Sequence, residues 1–121
     1  MNVPNNRGAI GSLKISDDVI SSIAAMAAAE IPGVAELATI PVNLKGVIRK
    51  SSAPKSINIS VNDDVATIDV YVKLQYGAKI PEVSEKIQRS VKTSVQNMTG
   101  IAVSKVNVFI AGIAFDNSEN I

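Results

Sequence analysis

The strongest constraint on what this chain can fold into is the punctuation of residues 65–113. An alternating stretch, V-A-T-I-D-V-Y-V-K-L-Q-Y-G, is followed by A-K-I-P-E-V-S-E-K-I-Q-R-S-V-K-T-S-V-Q-N-M-T-G, and then by I-A-V-S-K-V-N-V-F-I-A-G-I. That is a strand, a helix and a strand. In a first strand over 67–76, Ile68, Val70, Val72, Leu74 and Tyr76 share one face, while Thr67, Asp69, Tyr71, Lys73 and Gln75 share the other. In the helix, Val83, Ile87, Val91, Val95 and Met98 make one apolar stripe. Pro81 suits its first turn, where a missing amide costs nothing, and Gly100 is a natural stop. The last strand, over 103–111, turns Val106, Val108 and Ile110 inward and Lys105, Asn107, Phe109 and Ala111 outward.

Upstream, the same reasoning supplies the other elements. Residues 57–62 alternate as I-N-I-S-V-N, and Asn62-Asp63-Asp64 is turn chemistry. Residues 57–76 therefore read as an antiparallel hairpin with one covered and one wet face. Ser16 reads as a helix N-cap, followed by Asp17 and Asp18 at the positive end of the helix dipole. Ile20, Ile23, Ala24, Ala27 and Ile31 recur at helical spacing before Pro32-Gly33 ends the helix. Residues 12–15 read as a short first strand with Leu13 and Ile15 on one side. Residues 34–56 read as a long connection without pattern, and 1–11 and 116–121 as polar tails. The expected order is (β)αββαβ, one domain over 12–115. It is an α+β two-layer sandwich, with two helices on one face of a mainly antiparallel three- to four-stranded sheet.

Composition removes most catalytic chemistry. The chain has no Cys and no His, so thiol nucleophiles, disulfides, imidazole bases and the commonest zinc ligands are unavailable. Serines are plentiful, but a Ser-His arrangement cannot be built, and Ser90 with Lys86 or Ser104 with Lys105 are Ser-Lys pairs only in sequence. The adjacent acids Asp17-Asp18 and Asp63-Asp64 read as a helix start and a turn. Neither a phosphate-binding P-loop nor a dinucleotide fingerprint occurs. We assign no catalytic, cofactor-binding or metal residue and expect a protein that is not an enzyme. A formal net charge of +1 argues against nucleic acid or anionic lipid as the main partner. No apolar run approaches the roughly 18–20 residues that span a bilayer, and the first residues lack the apolar core of a secretory signal. The expected location is the cytoplasm, with any membrane association peripheral and through a partner.

Two surface features stand out. Parity places Tyr71 and Phe109, two of four aromatics, on the wet face of the sheet, with Lys73, Asn107 and Thr67 around them. Such a patch is an ordinary cross-strand pair, a protein-binding surface, or a base-stacking face of the kind RRM domains use. The RRM signature itself is absent. The second feature is the connection over 41–55, where Lys45, Arg49, Lys50 and Lys55 sit in a stretch, 38–62, without a single acid. It reads as a solvated loop or as a docking site for an acidic surface.

Taken in order, these segments resemble the alkaline shock protein family, the envelope stress response proteins of Gram-positive bacteria. The marks are G-S-L-K-I-S-D-D-V-I-S-S-I-A, then E-I-P-G-V-A, I-D-V-Y-V-K-L-Q-Y-G, I-P-E-V-S-E-K-I-Q, V-K-T-S-V-Q-N-M-T-G and V-S-K-V-N-V-F-I-A-G-I, together covering 11–113. The resemblance implies non-enzymatic, cytoplasmic oligomers that act in cell-envelope homeostasis through self-association and protein partners. It also implies that some members are held at the membrane by an anchored relative. Other relatives are tied to control of acetyl-CoA carboxylase and fatty-acid synthesis, which makes a regulatory partner of that enzyme the alternative reading. An RNA-binding domain is a further one. The 41–54 connection is the family's variable region, so a contact there does not carry over by resemblance.

Overall fold

The computed structural model of the protein describes residues 11–39 and 56–115. Helix α1, Asp17–Ala29, starts where expected: the Ser16 hydroxyl accepts from the Val19 amide at 3.3 Å, with Asp17 and Asp18 in the first turn. Its buried side is Ile20, Ile23, Ala24, Ala27 and Ala28, small enough to lie close against a sheet. Gly33 follows with φ of 103°, a left-handed conformation that turns the chain sharply.

That turn delivers a strand the periodicity did not reveal. Strand β1 is Val34–Leu37, at the start of the segment read as a patternless connection. A register shift between Val34 and Glu36 breaks its alternation, which is why four residues carried no readable period. Conversely, residues 12–15 form no strand. Leu13 is 82% exposed, while Ile15 packs against the core, so the two do not share a side. The order is therefore αβββαβ, and the α+β class with four strands and two helices stands.

Strands β2, Ile57–Asn62, and β3, Val65–Gln75, form the expected hairpin, from Ile57 opposite Val70 to Asn62 opposite Val65. Its two-residue loop, Asp63-Asp64, takes positive φ at both positions (53° and 67°), the primed turn that matches strand twist. Ala66, Ile68, Val70, Val72 and Leu74 of β3 are fully buried. Tyr76 is not part of that row: the strand ends at Gln75 and Tyr76 is 72% exposed in the turn that follows. Helix α2, Ile80–Thr99, buries Val83, Ile87, Val91 and Val95. Met98 is 68% exposed, because the buried ridge is strictly i,i+4 and its next member is Thr99. Strand β4, Ala102–Ala114, completes the sheet.

The sheet is built around β3. The crossover through α2 makes β4 parallel to β3 along its whole length, whereas β1 and β2 pair antiparallel. These two short strands share the other edge of β3 end to end. Tyr71 marks the junction: its N–H donates to Ser56 (3.0 Å) and its C=O accepts from Ala38 (2.7 Å). Both peptide groups of one strand residue point to the same side, so both short strands lie there. The apolar core lies between the sheet and the helices.

Candidate interaction surface

With the helices on one side, the opposite side of the sheet is left open by the described residues. Its side chains come in rows set by the strand register. Ser60, Thr67 and the Ser104–Lys105 pair form the first row; the Thr67 and Ser104 hydroxyls are 3.3 Å apart. Asn58, Asp69 and Asn107 form the second. One oxygen of Asp69 accepts from Asn107 Nδ2 at 2.8 Å and the other from Asn58 Nδ2 at 3.4 Å. The third row is Tyr71 beside Phe109, and the fourth is Glu36, Lys73 and Gly112.

The third row is the apolar centre of this face. Tyr71 and Phe109 are direct register partners with ring centroids 4.7 Å apart and planes 20° from parallel. Phe109 is 42% exposed, and Tyr71 is half-buried under it. Polar rows bracket the pair: the Asp69 triad on one side, and on the other Lys73, whose ammonium lies 3.6 Å from Glu36. The Lys73 stem runs beside Gly112, where there is no side chain to displace it.

All five residues proposed from the sequence for this surface, Thr67, Lys73, Tyr71, Asn107 and Phe109, thus fall on one face, in consecutive rows. The pairing of β3 with β4 brings them together. Asp69, Asn58, Glu36 and Ser104 belong to the same face and were not singled out. Parity does place Asp69 on the same side as Tyr71, but its hydrogen-bond partners come from two other strands. The four basic residues of the other proposed site, Lys45, Arg49, Lys50 and Lys55, lie outside the described residues. Their segment leaves and re-enters the described structure beside Tyr71, since Ala38 and Ser56 bond to its peptide groups.

A second aromatic pair, unforeseen in the sequence, sits past the ends of β3 and β4. Tyr76 and Phe115 have centroids 5.1 Å apart, tilted by 37°, and both are exposed. All four aromatics of the chain are therefore paired, one pair across β3 and β4 and the other just beyond their ends. Among the described residues no polar side chain is buried, and no three of Asp, Glu, His or Cys gather as a metal site would need. No helix among them is long and apolar enough to cross a membrane. What this arrangement offers chemically is an aromatic centre in a polar rim, the anatomy of a recognition surface.

Comparison with known proteins identifies relatives and a family. The chain is 35% identical over 111 residues to the uncharacterized protein YqhY of Bacillus subtilis (strain 168), covering 88% of this chain and 80% of that one. It is 31% identical over 110 residues to YloU of the same organism, covering 88% and 92%. It is 35% identical over 106 residues to Spy1614 of Streptococcus pyogenes serotype M6, covering 85% and 88%. Among solved structures, MamM CTD gives a TM-score of 0.49 at 11% identity, covering 79% of this chain and 94% of that one. The family model for alkaline shock protein 23, described as having a cell envelope-related function, matches residues 5–115. By its sequence match across nearly its whole length, this chain belongs to the alkaline shock protein 23 family, whose function is related to the cell envelope.

Proposed function

We propose that this protein is a non-enzymatic interaction protein of the cell envelope, working through protein partners and self-association rather than by chemistry of its own. The observation that carries the reading is the stacked Tyr71–Phe109 pair, set in a polar rim on a sheet face that no described element covers. Rigid aromatic rings held at the centre of such a face bind with little loss of side-chain entropy and are favoured as anchors. Family membership supports the envelope context. In this reading the protein resides in the cytoplasm and reaches the membrane through an anchored partner. The test is recovery of partners by the tagged protein from a native lysate, with and without Tyr71→Ala/Phe109→Ala. Loss of specific partners from the folded double variant is expected; unchanged recovery removes this face as the binding site.

The RNA-binding alternative is weakened by the face itself. Asp69 sits in the row next to the aromatic pair, and Glu36 neutralises Lys73 on the other side, where a phosphate backbone would need cations. The other alternative, regulation of acetyl-CoA carboxylase, is tested by adding the protein to that enzyme's assay; an unaltered rate argues against it.

A further inference from the structure

The sheet has two edges, and they differ. One is split between the short strands β1 and β2 and carries Glu36, Asn58, Ser60 and Asn62. The other is the outer edge of β4, 13 residues long, with no strand partner among the described residues. An open edge presents a row of peptide donors and acceptors, and proteins blunt such rows with charge, proline or cover. The first half of β4 is treated this way. Gln96 accepts from the Val103 N–H at 3.0 Å, Gln88 donates to the Val106 carbonyl at 3.2 Å, and Lys105 adds a charge. Beyond Val106 the treatment stops. Residues 107–114, N-V-F-I-A-G-I-A, contain no charge and no proline, and no described side chain bonds to their backbone.

We propose that residues 107–114 pair antiparallel with the same residues of a second copy of this chain, about a two-fold axis between Ile110 and Ala111. This rests on the self-association included in the function proposed above and gives it a surface. A neutral strand edge suits its own rotated copy, because donors meet acceptors and no like charges are brought together. The register follows from a bulge. Val72 faces Ile110 but Lys73 faces Gly112, so β4 carries one extra residue there and its alternation reverses. Phe109 and Gly112 consequently lie on the open face, while Val108, Ile110 and Ile113 pack against the core.

With the axis between Ile110 and Ala111, Phe109 lies opposite the partner copy's glycine at 112, and Val108 opposite its isoleucine at 113. Like faces meet, and each phenyl ring shields a glycine that has no side chain of its own. An axis through Ala111 would instead set open-face Phe109 against core-face Ile113. The shallow groove next to the edge carries no block of like charge: of the α2 residues that line it, Glu85 and Arg89 pair with each other at 2.7 Å, which leaves Gln88 and Lys92. The result is one continuous sheet with all helices on one side and the stacked Tyr71–Phe109 pair of each copy on the other.

The test is sedimentation of the purified full chain from about 1 to about 300 µM, a range chosen because this edge is smaller than the standard interface of about 1,600 Å². Ala111 is exposed, so Ala111→Lys and Ala111→Glu are expected to fold, and each alone to dimerise about tenfold or more weakly than the wild type. An equimolar mixture of the two is expected to restore the dimer. The chain has no cysteine, so Ala111→Cys is expected to form a disulfide-linked dimer on mild oxidation, and Ser60→Cys on the opposite edge is not. A monomeric wild type over this range overturns the proposal, as does undiminished dimerisation of either charge variant, or a mixture that stays monomeric. Tyr71→Ser separates this inference from the binding face. If it dimerises normally but loses partner capture, both readings stand. Should partner capture be lost in Tyr71→Ser while the Ala111 variants dimerise like wild type, only the edge proposal fails.

Discussion

Replacing Gly33 with alanine is expected to destabilise the protein by roughly 2–5 kcal/mol, the sum of two separable costs. The first is conformational. Gly33 has φ of 103°, and an L-residue held in the left-handed region costs about 1–2 kcal/mol. The second is steric. A Cβ at Gly33 would lie 2.8 Å from Val83 Cγ2 of α2, well inside van der Waals contact. Val83 is buried, so it cannot swing into solvent, and overpacking of this kind costs about 1–3 kcal/mol. Gly77 supplies the control: its φ is 92°, but nothing lies within 4 Å of its Cβ position, so Gly77→Ala bears only the first cost. In urea unfolding, with a slope of about 1–3 kcal/mol per molar for a small protein, the two variants should separate by roughly 1 M in midpoint. Shortening the obstructing side chain tests the cause. Gly33→Ala/Val83→Ala should be less destabilised than the two single variants summed, with a coupling of about 1 kcal/mol or more. Coincident midpoints for Gly33→Ala and Gly77→Ala would overturn this account, as would additivity in the cycle. Either result would mean that the turn after α1 does not press on α2.

Three further outcomes follow from local geometry. A double-mutant cycle on Tyr71 and Phe109, measured by chemical unfolding, should give a coupling of about 0.5–1.5 kcal/mol, since the rings stack directly across paired strands; a coupling near zero would mean that the pair adds nothing beyond area. Asp64→Gly should stabilise the hairpin by roughly 0.5–1 kcal/mol, because glycine removes the strain of a 67° φ; a lower midpoint would show that the turn is not of the primed type. Ser16→Ala should cost about 1 kcal/mol by removing the acceptor for the Val19 amide, and Ser16→Asp should recover most of it.

The site was half legible. Period-two reasoning found Tyr71 and Phe109 because each alternates with core-facing valines and isoleucines on its own strand. It could not show that they touch. That depends on β3 and β4 being neighbours in a register that sets residue 71 beside 109. The polar rim was less legible still, because Asp69 is held by amides from β2 and β4, at 11 and 38 residues' separation in sequence. The misplacement of the first strand has a similar origin. Val34–Leu37 is a strand because Gly33 and Ala38 bond to the far end of β3, through Gln75 and Tyr71, and because a bulge is tolerated there. Four residues with one buried member carry no period of their own.

The amino-acid order was enough for the pieces: where both helices begin, the hairpin and its turn, the α+β class, and the outward side chains of the long strands as far as Phe109. Each is a local property, set by caps, turn residues and the period of apolar side chains over a few turns or pleats. How the pieces share edges is settled in three dimensions. It placed two short strands end to end on one side of β3 and left the other side to β4 alone, capped by glutamines in its first half and bare in its second. Strand pairing is made by peptide groups, which are the same in every residue, so the side-chain pattern can say which face a residue takes but not which edge it finds.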